Sequence, residues 1–320
     1  MSEEHNSQEA DSAPANAAAQ DKAEAVEKVS AQPKASPVLE GPAPDKIGFP
    51  PGTLAEEPMR FDVLASAPGI FAAINKPADI LMDSYLGAPK QKSVILALRA
   101  QSGKPELGRL GMEAPLAVNQ IDIEYSGAAI IAMNKDIATV FRNAMWSGKF
   151  KFEFIVLCKS MLDKNKNFTT NLPLLMHDER PVWIVSHRFG KKAQTSFEIL
   201  ETSNGYQTWR ATAQTLRPNQ VRVHAAENGL RVVGEWLYGR TPYIFLSDLK
   251  DEYRASPRKE EKSLYPHLMV HLSAIEFNGA DVGFPDLGKV RIEAPLPKNF
   301  KLCLKKLSFK NTDGLEKKAP

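Results

Sequence analysis

Apolar residues in this 320-residue chain cluster in short runs and alternations more often than in helical stripes. Phe61–Ala65 and Ile70–Ile74 predict two short strands divided by Pro68-Gly69, a turn signal. Ala117–Ile121 and Ala128–Met133 predict two more, around a turn at Ser126-Gly127. Lys149–Cys158 alternates and reads as a strand. Thr195–Leu200 and Tyr206–Ala213 form a hairpin pattern around Asn204-Gly205. His267–Phe277 and Lys289–Ile292 supply later strands. Helical spacing is confined to three segments. Ser93–Arg99 is short; Lys135–Trp146 places Ile137, Val140, Phe141 and Met145 on one face; Pro218–Asn228 has Pro in its first turn and Gly229 beyond its end. Strands that follow one another directly, with few helices between, predict an α+β fold with a largely antiparallel sheet.

The first 58 residues break this pattern. They are rich in Ala, Pro, Glu, Ser and Gln and nearly free of aromatics, so they bury too little apolar area to offset the entropy of ordering. A disordered N-terminal tail over 1–58 is expected. The tail also reveals a charge asymmetry hidden in the net +3: it carries 11 acidic and 4 basic residues, and the remainder carries 37 basic and 27 acidic. A basic body suits a polyanionic partner such as nucleic acid. Two cysteines, Cys158 and Cys303, are too few for a disulfide framework or a thiolate metal site. The six histidines form no metal-binding motif, and no Walker-type loop is present, so no metal and no organic cofactor are expected. No run of about 18 apolar residues predicts a membrane span, and no apolar leader follows the acidic N-terminus. A reducing, cytoplasmic location is expected.

Six segments, in order, carry a resemblance. Asn119-Gln120-Ile121-Asp122-Ile123-Glu124-Tyr125-Ser126-Gly127 resembles His-Arg-Leu-Asp-x-x-Thr-Ser-Gly, the signature of RluA-type pseudouridine synthases. Ile74-Asn75-Lys76-Pro77 is similar to that family's early Asn-Lys-Pro motif. Lys191–Thr195 resembles its Lys-x-Ala-x-Thr strand entry, and Arg217-Pro218-Asn219-Gln220-Val221-Arg222-Val223-His224 its Arg-Thr-His-Gln-Ile-Arg-Val-His. Gly234–Gly239 resembles Gly-Asp-x-x-Tyr-Gly, and His271 lies where the family has a Leu-His-Ala strand. The resemblance covers about residues 60–300. It implies a pseudouridine synthase-like catalytic domain over 59–308, with helices flanking a mixed sheet, followed by a basic C-terminal tail over 309–320.

The resemblance also implies a chemistry and its residues. Uracil detaches from ribose, rotates, and reattaches through carbon, with an Asp as nucleophile. Asp122 matches that Asp. Arg222 matches the cation that keeps it ionised, here expected to pair with it bidentately. Phe154, in Phe152-Glu153-Phe154, matches a Tyr of a Lys-x-Tyr strand; it keeps the stacking face for an extruded base and loses the hydroxyl. Lys76, Asn119, Gln120, Tyr125, Arg217, Asn219 and Gln220 fall in the motifs nearest the substrate and are expected to bind it. Several depart from the family pattern: Asn119 stands for His, Gln120 for a charged Arg, the larger Tyr125 for Thr, and Pro218-Asn219 for Thr-His. The expectation is an RNA uridine isomerase acting on structured RNA, rRNA or tRNA. Its rival is an impaired or inactive RNA-binding relative of the same fold.

Overall fold

The computed structural model describes residues 33–84, 91–160, 166–180, 182–250 and 260–310. Most of its strands join one mixed sheet. In order across it run β1 (Lys46–Phe49), β2 (Met59–Ala67), β3 (Phe71–Lys76), β5 (Ser126–Ala132), β13 (Val270–Asn278), β6 (Lys151–Lys159), β11 (Tyr206–Ala213), β10 (Thr195–Ser203) and β7 (Phe168–Thr170). Three short strands attach to this path: β4 (Leu116–Ala117) on β5, β12 (Arg231–Val232) on β6, and β14 (Lys289–Glu293) on β13. A separate hairpin pairs β8 (Leu174–Met176) with β9 (Trp183–Val185). All described strand pairs are antiparallel except β5 with β13. The expected α+β class with a largely antiparallel sheet is what the chain adopts. No described helix is long and apolar enough to cross a membrane.

The central strands explain their own position. Every residue of β5 is buried, as an unbroken apolar run requires when both faces of a strand are covered. One face packs against α3 (Lys135–Trp146), which buries Ile137, Ala138, Phe141, Ala144 and Met145. Asn134 caps that helix through the Ile137 N–H at 3.0 Å. Phe71, Phe141, Phe150 and Phe277 meet beneath it with ring centroids 4.9–6.3 Å apart. The remaining helices are α1 (Val94–Arg99), α2 (Pro105–Leu110), α4 (Gln220–Glu227) and α5 (Lys298–Lys306).

Three expectations need correction. The boundary at Met59 cuts a hairpin: Lys46–Phe49 pairs with Met59–Asp62, and Ile47 and Phe49 are buried against Phe61. Short apolar pairs amid prolines carry no periodicity, which is why β1 escapes a pattern search. Residues 1–32 and 311–320, most of the two expected tails, lie outside the described residues. At the other end Phe309 is buried, so the fold reaches past 308. Last, Ser126-Gly127 is the start of β5 and not a turn; the chain from 118 to 125 is the irregular segment.

Gly127 is needed where it stands. Its φ is +123°, and a Cβ there would lie 2.2 Å from the Leu272 carbonyl oxygen on the parallel neighbour β13. The seam is further tied by Ser126 Oγ to His271 Nδ1 at 2.8 Å, with His271 Nε2 donating to the Ala294 carbonyl at 3.0 Å. Gly127→Ala is therefore expected to cost at least ~2 kcal/mol in chemical denaturation, through strained φ and backbone collision together. A change within error would show that the seam can open without penalty.

Candidate active site

The loop that delivers chain into β5 is fixed from both sides. Asn119, buried, donates to the Ala128 carbonyl at 3.1 Å and accepts from the Ile130 N–H at 2.7 Å. Lys76, at the end of β3 and fully buried, donates to the carbonyls of Pro77, Ile80 and Ile123 at 3.0, 2.7 and 3.2 Å. All three of its ammonium protons are thereby used. Burial pulls its pKa down to about 7, opposed by Asp122, Asp79 and Glu124. Both residues shape the loop and present nothing to a ligand, which corrects their expected role in substrate binding.

Helix α4 approaches this loop with its N-terminus. Gln220 and His224, one turn apart, both reach Thr195 Oγ1 on β10, at 3.0 and 2.8 Å. Gln220 also donates to the Gln194 carbonyl and accepts from the Arg217 N–H, each at 2.9 Å. It is wholly buried and spent on anchoring the helix, a second correction to the expected binding set. Asn219 precedes the helix in the left-handed region, φ +56°. That conformation aims its N–H at Asp122, whose Oδ1 and Oδ2 accept it at 3.0 and 2.9 Å.

Arg222 does not pair with Asp122. Its Nε and Nη2 grip Glu235 Oε2 and Oε1 at 2.6 and 2.9 Å, and its Nη1 reaches Glu124 Oε1 at 2.7 Å and Asn219 Oδ1 at 3.1 Å. Glu235 is 1% exposed and also accepts the N–H groups of Leu237 and Tyr238 at 2.7 and 3.1 Å. A carboxylate so deeply buried needs a full counter-charge, and it takes the bidentate face of the guanidinium. The Tyr238 ring lies under the same cation at 5.3 Å. Arg222 thus acts on Asp122 through space and through Asn219. Glu235 and Glu124 were missed as site residues, although both lie inside quoted motifs; a buried Glu in a short loop is a signal that some cation must face it.

Asp122 is part-exposed, and burial pushes its pKa up to about 6; the Asn219 N–H and Arg222 pull it down, and Glu124 pushes it up. Tyr125, 1% exposed, closes a turn by donating its N–H to the Asp122 carbonyl at 3.1 Å. Its ring meets Phe154 edge-on, centroids 6.0 Å apart at 75°. Phe154 itself is fully buried on β6, so neither ring face is open to a base. Tyr125 touches it within the main core, and the expected platform is corrected on the burial of Phe154.

Gln120 and Arg217 do face open space. Gln120 is exposed and lines a cavity of about 340 Å³ with Arg142, Trp146 and Arg217. A larger cavity, about 820 Å³, shares Trp146 and Arg217 and adds His187 and Lys192. A third, about 330 Å³, is lined by Glu124, Arg222 and Trp236. Gln120 and Glu124, two residues to either side of Asp122 in the chain, line the first and the third of these openings. The largest of the three is lined by no Asp or Glu among the described residues. Among the described residues no group of three or more His, Cys, Asp or Glu is placed to hold a metal.

Residues 70–227 match the family model described as RNA pseudouridylate synthase. Over that span, just under half of its length, the chain is similar to that family. The matched span contains Asp122, Asn219 and Arg222 and stops short of Glu235. Among curated members of the family, the ribosomal large subunit pseudouridine synthase D of Haemophilus influenzae is 25% identical over 169 residues, 53% of this chain and 50% of that protein. The chain thus spans about half the length of that relative. An uncharacterized RNA pseudouridine synthase of Zymomonas mobilis is 29% identical over 58% of this chain and 75% of its own length. The solved structure of human RNA Pseudouridylate Synthase Domain Containing 4 shares the family fold, with a TM-score of 0.53 over 77% of this chain and 92% of that one at 16% identity.

The two carboxylates on Arg222 differ in burial, and the difference sets a test. Glu235→Gln is expected to destabilise the fold by ~3–5 kcal/mol in urea unfolding, since it strands a buried guanidinium. Glu124→Gln, at a side chain 34% exposed, is expected to cost under ~1 kcal/mol. Equal effects would move the anchor of this site away from Glu235.

Proposed function

We propose that this chain is an RNA pseudouridine synthase in which Asp122 is the nucleophile. The observation that carries this is the Asp122 carboxylate, presented by the segment before β5 and set on one backbone N–H at the start of α4, with Gln120 and Glu124 of the same segment lining open cavities. The carboxylate adds covalently to the base or the sugar, the bond from ribose to the ring nitrogen breaks, the base turns, and ribose bonds to a ring carbon as the carboxylate leaves; that carbon gives up its proton and the freed nitrogen takes one. Atoms balance without a cofactor, because substrate and product are isomers. A base inside a helix cannot reach the loop, so the target uridine is extruded or already unpaired.

The RNA lies along the cavities that share Trp146 and Arg217. No Asp or Glu lines either one among the described residues, while Arg142, Lys191, Lys192 and Arg217 do. Trp146 is 43% exposed, and the Arg217 guanidinium stacks over its ring at 4.3 Å. Burial depresses the pKa of Arg217, and no carboxylate among the described residues pairs with it, so a phosphate can take that place. Cations beside an exposed aromatic ring suit a flanking nucleotide: the phosphate meets Arg and Lys, and the base stacks on Trp. The name of the Haemophilus relative favours ribosomal RNA as the substrate, and with it a cytoplasmic location.

Two outcomes test this reading. Asp122→Asn is expected to abolish pseudouridine formation, mapped at single-nucleotide resolution in cellular RNA, with RNA affinity within about threefold of wild type. In the wild type the acid limb of kcat/KM should rise through about pH 6, because only the ionised carboxylate attacks and its pKa is pushed up. Product from the Asn variant would remove Asp122 from the reaction. Separately, Arg217→Gln is expected to weaken binding of single-stranded RNA and lower the log–log salt slope by about one. A slope equal to wild type would place the phosphates elsewhere.

A further inference from the structure

Tyr125 carries a polar atom with no structural employment. Its hydroxyl is buried and has no partner at full hydrogen-bond distance among the described residues, yet it faces the Asp122 carboxylate closely enough to hold that carboxyl's pKa down. A buried hydroxyl left unpaired is destabilising, and Phe would fill the same volume without that cost. Packing therefore accounts for the ring, which abuts Phe154, and not for the oxygen.

Asp122 lacks a donor in the same place. Both of its carboxylate oxygens share the one N–H of Asn219, at 3.0 and 2.9 Å, and Arg222 is committed to Glu235, Glu124 and Asn219. One N–H cannot satisfy two anionic oxygens, so lone pairs remain open. The 122–125 turn holds the backbone of Tyr125 to that of Asp122. We propose that the Tyr125 hydroxyl is a positioning group for Asp122, donating to its carboxylate in the free protein as well as with substrate bound, and aiming one oxygen for attack. This rests on the role given to Asp122 above.

The electrostatics agree in direction. Burial, and then Asp122 itself, hold the phenol well above its usual range, so it keeps its proton and meets an anionic oxygen as a donor. Its influence on Asp122 is to lower that carboxyl's pKa, favouring the ionised form. The other charged or titratable groups facing Asp122 are Lys76 from β3, Glu124 from its own loop, Arg222 from α4 and Tyr238 from the chain after β12, where Glu235 faces the Tyr125 phenol.

The test is Tyr125→Phe in the full chain, which removes only the oxygen. With aspartate carboxyl carbons labelled, NMR titration of Asp122 should move upward from near 6 by about one pH unit, the order of one charge-assisted hydrogen bond. Turnover should fall on the order of tenfold, the acid limb of kcat/KM should shift the same way, and the melting temperature should hold or rise. An Asp122 titration identical in wild type and variant overturns the proposal, as does a lower melting temperature with unchanged turnover. The NMR arm needs no RNA, so it decides the role of Tyr125 even if the wild type forms no pseudouridine, a result that would instead sink the proposed activity.

Discussion

The grip of Arg222 on Glu235 is the contact on which the site depends. It joins α4 to the loop after β12, two segments that the sheet does not otherwise tie at this point. From the same guanidinium run a link to Glu124, in the loop before β5, and one to Asn219, whose N–H carries Asp122. Three stretches of chain are thus registered by one cation. A buried ion pair adds little net stability compared with apolar packing, yet breaking half of it is severe. Such a pair suits a site that must be geometrically unique more than a site that must be strongly held.

This arrangement makes a carboxylate that is oriented and only partly satisfied. Had Arg222 gripped Asp122 with both nitrogens, the negative charge would have been spent on the protein. Committing the cation to Glu235 leaves Asp122 under a field that favours ionisation while its oxygens stay open to another donor or to an electrophile. The carboxylate crowding from Glu124 and the burial act the other way, and the balance sets its pKa near neutral. Around it, structural burial and reactive exposure are separated residue by residue: Lys76, Asn119 and Gln220 are consumed by backbone and side-chain partners, while Gln120 and Arg217 face cavities.

The departures from the family pattern take on meaning in this geometry. Phe154 and Tyr125 are in edge contact, so a change in one bears directly on the other. The loss of a hydroxyl from the strand and its presence on the loop fall within a single packed unit. Asn219 in the left-handed region illustrates the same point: Asn tolerates that conformation better than most residues, and it is this conformation that turns the N–H toward Asp122.

Much of the fold was legible along the chain. Helix α3, the β10–β11 hairpin and the central strands follow from periodicity and turn residues, because each buries a face whose spacing is written locally. The place of Asp122 was legible too, through the order of motifs around it. The partners were not. Arg222 and Glu124 are 98 positions apart, Lys76 and Ile123 are 47 apart, and Asp122 and Asn219 are 97 apart. Local pattern fixes which face of an element turns inward, but which buried groups then share a volume depends on how distant segments meet. For that reason the sequence alone determined the central strands, the β10–β11 hairpin, helix α3 and the candidate nucleophile. Tertiary structure alone decided that Arg222 belongs to Glu235, that Phe154 is covered, and that a tyrosine hydroxyl is left unpaired in the same turn as the carboxylate.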